Sequence, residues 1–335
     1  MFVKRSFSAL RQGLSILEEN AVTSAVGGSF EMLYAAFLWW CRSQLLALGS
    51  LADIDVALVW YFDSLFLDGE PAALASKIVA AVGHHHPEAG RWGWHRLPRA
   101  RRAAQGWRRL APATTPAPLP WLGVLAMIGT ACAQGNLEFG LFLLLTFVLY
   151  LRPAEALNLT AGQLVPPLTH HGNVMSSWGV VLGPASLGRP TKIGEFDQHV
   201  MLDREDRVGL HPLLVKLHAL PAAHRVWTFI SKQALLWFKT LARDLHIPLG
   251  SQSLYVLRHG GVSADMLGRR RSLADIKKRG RWMQDNSLRR YEKAARALQE
   301  LEKIPAVIRR YGSLVEQNLV EFLTRSKRAP NPPKL

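Results

Sequence analysis

The sequence predicts a mostly α-helical chain with a small β-sheet, an α+β protein in two domains. Apolar residues recur at three and four positions over most of its length, the period of one helix face. Two short runs, Trp178 to Leu182 and Gln198 to Leu202, are instead rich in branched or aromatic residues and separated by Gly, Pro and Ser, as strands are. APATTPAPLP, residues 111–120, has four prolines and no charge, and reads as a semi-rigid linker between domains. With 335 residues, 49% of them hydrophobic, the chain can fill two cores.

In chain order, residues 1–28 form an arm. Its opening MFVKRSFSALRQ is basic, hydroxylated and free of acid; a frayed amphipathic terminus is expected, with a faint transit-peptide character. Residues 29–110 read as several helices. Phe30, Leu33, Tyr34, Phe37, Leu38 and Cys41 make the first stripe, and Leu58, Tyr61, Phe62 and Leu65 the second. Asp53 and Asp55 open that second helix and read as cap and dipole partners rather than metal ligands. His84, His85 and His86 precede Pro87, and with no paired ligand at zinc spacing they read as an exposed turn. RWGWHRLPRARRAAQGWRRL then interleaves Arg91, Arg96, Arg99, Arg101, Arg102, Arg108 and Arg109 with Trp92, Trp94 and Trp107. Pro98 can open a helix here. Such a density of arginine repels itself without an anion, so the segment reads as a phosphate-contacting surface whose aromatics anchor it to the domain.

Beyond the linker, 121–133 and 138–151 read as buried helices. The apolar run Phe139 to Leu151 is too short to span a bilayer and delivers Arg152 at its end. Lys192 falls in the connection between the two strand-like runs. Helices resume at Pro212 to Leu220 and at Ser231 to Leu245, with Leu235, Phe238, Leu241 and Leu245 on one face. Ile304, Ile308, Tyr311, Val315, Leu319 and Phe322 predict one amphipathic helix whose apolar face must be buried. The closing RSKRAPNPPKL reads as disordered.

Lys plus Arg number 41 and Asp plus Glu 25, a net +16, with a pI near 10.4, which argues for a polyanionic partner. Cys41 and Cys132 give neither a disulfide framework nor a cysteine metal site, and a soluble, non-secreted protein is expected. No GxxxxGK[ST] nucleotide loop and no acidic cluster of the two-metal type is present in the sequence.

The chemistry concentrates in YVLRHGGVSADMLGRRRSLADIKKRGRWMQDNSLRRY, residues 255–291. Arg258 stands beside His259, Trp282 follows in a basic turn, and Tyr291 comes nine positions later (291 minus 282). Upstream, LYLRPAEALNLTAGQL supplies Arg152 and Glu155. Two arginines, a lysine, an indole and a tyrosine are what a metal-free phosphoryl transfer needs. The phenol attacks a phosphodiester, the guanidiniums grip its non-bridging oxygens, and the lysine protonates the departing 5′ oxygen.

In these residues the chain resembles the tyrosine recombinase family, whose pattern of Arg, Lys on a β-turn, His-x-x-Arg, His or Trp, then Tyr is met by Arg152, Lys192, Arg258, Trp282 and Tyr291. The departure is Tyr255, which stands where the family has its first histidine. The resemblance covers about residues 30–300 and is strongest from Arg152 onward. It implies a helical core-binding domain over 29–110 that clamps DNA through Arg99, Arg101, Arg102, Arg108 and Arg109. It further implies a catalytic domain of the DNA breaking-rejoining type over 121–300, with Glu155 and His259 in support. The implied activity is site-specific strand exchange through a 3′-phosphotyrosyl intermediate, with no cofactor or metal. The implied partners are double-stranded DNA and further copies of the chain, four in the synaptic complex, with the helix of 301–335 docking on a neighbour. Two alternatives share the residues: a type IB topoisomerase and a catalytically inactive DNA-binding module.

Overall fold

The structure, a computed structural model, describes residues 21–112, 117–168, 177–188, 191, 196–203, 209–285, 288, 291 and 294–334. Lys192 lies outside them. The chain divides into two compact units between Thr114 and Thr115, within the proline-rich stretch. The described residues are mostly helical, with one small antiparallel sheet.

The first unit holds α1 (Ser24–Ser43), α2 (Leu51–Leu67), α3 (Ala73–His85) and α4 (Pro98–Leu110). Phe37, Leu58, Phe62, Ile78 and Trp107 fill its core. At the start of α2 the Ser50 hydroxyl accepts the Asp53 N–H at 3.2 Å and donates to the Asp53 carboxylate at 2.7 Å. Asp55 serves another helix. Buried, it accepts the N–H groups of Arg99 at 3.1 Å and Ala100 at 2.8 Å, capping α4 from 44 residues away. The three histidines are not an exposed turn: His85 stacks on Tyr34 at 4.1 Å, His86 lies 2.6 Å from the Tyr34 hydroxyl, and His84 tilts against Phe30. Phe30 and Tyr34, one turn apart on α1, present the rings that draw them in.

In the second unit α5 (Trp121–Ala133) and α6 (Leu137–Val148) are apolar all round and lie at the centre of the core, as helices without a polar face must. Helix α6 ends earlier than the periodicity suggests, because Tyr150 takes a left-handed conformation, φ 50°. After the short α7 (Pro153–Leu157) come β1 (Leu164–Val165), β2 (Trp178–Leu182) and β3 (Gln198–Leu202), an antiparallel sheet in the order β1-β2-β3 with Trp178 opposite Leu202. At two residues β1 is too short to show alternation. Then follow α8 (His211–His218), α9 (Ser231–Asp244), α10 (Tyr255–Leu267), α11 (Leu273–Gly280), α12 (Ala294–Glu302), α13 (Ala306–Gln317) and α14 (Leu319–Thr324).

The C-terminal stripe corrects two expectations. It is not one helix, since the chain turns at Ile304 and again at Asn318. It is also not left for a neighbour, because Ile304, Ile308, Tyr311, Val315, Leu319 and Phe322 are buried in their own unit. Helix α13 crosses α5 closely: Gly312 lies on the Leu122 carbonyl, where a β-carbon would overlap it. The expected disordered tail also packs. Ala329 is buried, the Tyr311 hydroxyl donates to the Pro330 carbonyl at 2.8 Å, and Lys327 reaches Asn318 Oδ1 at 2.6 Å. No helix among the described residues is long and apolar enough to cross a membrane.

Candidate active site

The site is built on the C-terminal end of α6. The N–H groups of Leu149, Tyr150 and Leu151 close back on the Leu145, Phe147 and Thr146 carbonyls, and cations are favoured beside the carbonyls that remain. Two arginines exploit this. Arg279, near the end of α11, donates Nε and Nη2 to the Val148 carbonyl at 3.0 and 2.8 Å, and Arg258 on α10 donates Nη1 to the Tyr150 carbonyl. Arg258 comes this close because Gly260 and Gly261 follow it: a β-carbon on Gly261 would overlap the Phe147 carbonyl, so only glycine lets α10 settle on α6. Its Nη2 donates to the Gly280 carbonyl at 2.5 Å, tying α10 to the end of α11.

Behind this lies an ionic brace. Arg271 donates to both oxygens of Asp203 at 2.8 and 2.7 Å and through Nε to Asp265 at 2.8 Å, while Asp265 accepts the Tyr150 hydroxyl at 2.5 Å. Burial alone would raise the Asp203 pKa, but the Arg271 hydrogen bonds and the charges of Arg279 and Arg271 outweigh it and hold it low. Burial pushes the Tyr150 phenol far above its ordinary range, with Asp265 adding to the effect. Tyr150 is thus a buttress that fixes the turn leading into Arg152.

Arg152 is the N-cap residue of α7. Its backbone N–H donates to Glu155 Oε2 at 2.7 Å and its Nη1 to Glu155 Oε1 at 2.5 Å. Glu155 also accepts from a third arginine, Arg281, whose Nη2 lies 2.6 Å from Oε2. Arg281 caps α11 in the left-handed region, φ 55°, ψ 47°, which turns its side chain inward. Burial, with Arg258 and Arg152 nearby, lowers its pKa to about 10. Burial likewise lowers that of Arg258, and Arg152 adds to it. All three guanidiniums are charged at neutral pH, and Glu155 answers one of them. Arg281 Nε and Nη1 and Arg258 Nε are buried without a hydrogen-bond partner among the described residues. Such a cluster is costly as it stands and complementary to an anion.

An aromatic series runs alongside. The His259 ring lies 5.1 Å from that of Tyr255 and 5.0 Å from that of Tyr291, and Trp282 lies 5.1 Å from Tyr291. The Arg258 guanidinium stacks 4.9 Å from the Trp282 ring. Tyr291 is in a turn and is buried; Tyr255 is 37% exposed and Arg258 0%.

The structure therefore brings Arg152, Glu155, Tyr255, Arg258, His259, Trp282 and Tyr291 together, and Lys192 falls outside the described residues. Arg99, Arg101, Arg102, Arg108 and Arg109 belong to the first unit, exposed on α4. Arg281 escaped the sequence reading. Its one signal was a place beside Trp282 in RGRW, hidden among the other basic residues of that turn. No model of a known protein family matches the chain, and no curated protein matches it.

Proposed function

We propose that the chain is a DNA strand-exchange enzyme of the tyrosine recombinase type, cutting DNA through Tyr291 and holding the cleaved strand as a 3′-phosphotyrosyl ester. The observation that carries this reading is the cluster of Arg152, Arg258 and Arg281 around the single carboxylate of Glu155, with Tyr291 two rings away through Trp282. A phosphodiester brings the negative charge that the cluster lacks, and its pentavalent transition state brings more.

In the reaction the Tyr291 oxygen bonds to phosphorus, the bond to the 5′ oxygen breaks, and that oxygen leaves as a hydroxyl. The phenol must lose its proton, and His259, in ring contact with Tyr291, is the candidate acceptor. His259 also answers the departure at Tyr255: it lies four residues on, along the same face of α10, so an imidazole is still supplied to the site. The resemblance gives Lys192 the protonation of the leaving oxygen. Arg258 has no exposed surface, and its guanidinium lies against the Trp282 indole. The first unit is the DNA-gripping domain, holding the backbone through the α4 arginines. Any assembly of four copies uses surfaces other than the C-terminal stripe, which is consumed within the chain.

That burial favours a second reading. Relaxation of a single duplex by one subunit uses the same phosphotyrosyl chemistry and requires no assembly helix. A nicked duplex that traps the covalent product tests the first claim: wild type forms an adduct, whereas Tyr291→Phe and Arg281→Ala bind without forming one. If Tyr291→Phe still forms an adduct, the nucleophile is another phenol, Tyr255 first. Relaxed supercoiled plasmid with no joining between two duplexes selects the topoisomerase reading.

A further inference from the structure

The aromatics of the arginine-rich segment do not anchor it as the sequence suggests. Only Trp107 does, at 4% exposure in the core; Trp92 is 85% exposed and Trp94 78%. Single exposed apolar residues are ordinary, but two indoles separated by one glycine on an arginine-rich surface are not. Nor is the segment loosely tied. The His95 N–H donates to the Glu88 carbonyl at 3.0 Å, Arg101 Nε to the Arg96 carbonyl at 2.6 Å, and the Arg99 and Ala100 N–H groups to Asp55, while Leu97 is fully buried. The backbone is held and the indoles project from it.

The Arg91 guanidinium stacks on Trp92, 4.9 Å from the ring, so one face of that indole already carries a cation. Arg96, Arg99, Arg101 and Arg102 are exposed close by in sequence, and none pairs with a carboxylate among the described residues. Flat apolar faces set among unpaired cations match a strand whose bases are unstacked and whose phosphates are accessible, since every base has a face to stack and every link a charge. A base pair inside a duplex has both faces covered. A lipid surface also offers phosphates, but seating Trp92 in acyl chains would carry the Arg91 charge in with it.

We propose that Trp92 and Trp94 form a stacking site for the unpaired bases of single-stranded DNA, with the surrounding arginines holding its phosphates. This deepens the DNA-binding reading of the first unit, on which it rests for the polyanionic partner, and is independent of the chemistry at Tyr291.

The test is binding of the full chain to an oligothymidylate and to a duplex of equal length at one salt concentration. Trp92→Ala and Trp94→Ala each weaken oligothymidylate binding roughly 5- to 150-fold, leave duplex binding unchanged, and preserve the salt slope because no charge is removed. Tyrosine at either position retains most of the affinity. Unchanged oligothymidylate binding in both alanine variants overturns the proposal, as does equal loss on both ligands. Binding to phosphatidylserine vesicles that disappears in the variants, with oligothymidylate binding intact, overturns it in favour of a membrane. A wild-type chain that binds oligothymidylate through the indoles but forms no covalent adduct sinks the strand-exchange reading alone.

Discussion

In the proposed reaction Tyr255 and His259 have different tasks. Tyr255 is partly exposed and can donate a hydrogen bond to a phosphate oxygen, while His259 lies against Tyr291 and can take a proton. Single-turnover cleavage of a nicked duplex separates the two. A hydrogen bond to a charged group is worth about 1.5–3 kcal/mol, so Tyr255→Phe slows cleavage roughly ten- to a hundredfold. His259→Gln slows it by about 10² to 10⁴. Wild-type rates in either variant assign that residue to packing. Arg281 makes a separate prediction. Because its charge is buried beside two others, inorganic phosphate stabilises the native state by mass action, about 2.7 kcal/mol at a hundred times Kd. The melting temperature rises more in phosphate than in chloride of equal ionic strength, and Arg281→Met loses that difference. An equal rise in both proteins removes the anion site. Most of the site's residue types were legible because their order along the chain is itself a chemical pattern. Arg281 was not, because its role depends on a left-handed backbone and on a carboxylate 126 residues away, and neither leaves a local mark.

Among elements, helices with strong periodicity and strands flanked by turn residues were readable: β2 and β3 occupy the expected residues, and α5 the expected span. The ends were not. Helix α6 stops at Val148 because Tyr150 turns left-handed and the N–H groups that follow close back on the last turn, and a tyrosine carries no mark of that conformation in the sequence. The role of Asp55 was equally hidden, since a cap supplied by another helix has no spacing rule. The α5–α13 crossing yields a stability prediction. A β-carbon at Gly312 meets the Leu122 backbone, which cannot yield as a side-chain tip can, so Gly312→Val destabilises the second unit by about 1–3 kcal/mol in denaturant unfolding. A neutral result means the helices slide apart freely. At Tyr311 burial pushes the phenol pKa up from 10.0 to about 12, with Cys132 adding and a hydrogen bond to Thr130 opposing. Between about pH 10 and 12 the unfolded chain has lost this proton and the folded chain keeps it, so stability falls as pH rises through that window. Tyr311→Phe, which has no proton to lose, flattens the decline; the same decline in wild type and variant assigns it to other groups.

At the scale of the molecule, the charge of +16 was the plainest signal, although it names a kind of partner and nothing about fold. The two-unit division was legible in the prolines. The fate of the C-terminal stripe was not, because periodicity says that a face is buried and not whose core buries it. Duplex binding that engages six to ten phosphates weakens about 10³- to 10⁵-fold between about 50 and 200 mM salt. Replacing Arg101, Arg102, Arg108 and Arg109 together with glutamine flattens that slope in a binding titration, and an unchanged slope takes α4 out of the interface. If this cluster of arginines serves to let one tyrosine join DNA, that tyrosine carries the DNA. The direct measurement is the attachment point itself: incubate the chain with a random duplex library, denature, digest with protease and nuclease, and sequence the nucleotide-bearing peptide by mass spectrometry. The expected product is a peptide containing Tyr291 esterified to a 3′ phosphate; a nucleotide on any other residue, or joined through its 5′ end, overturns the strand-exchange reading.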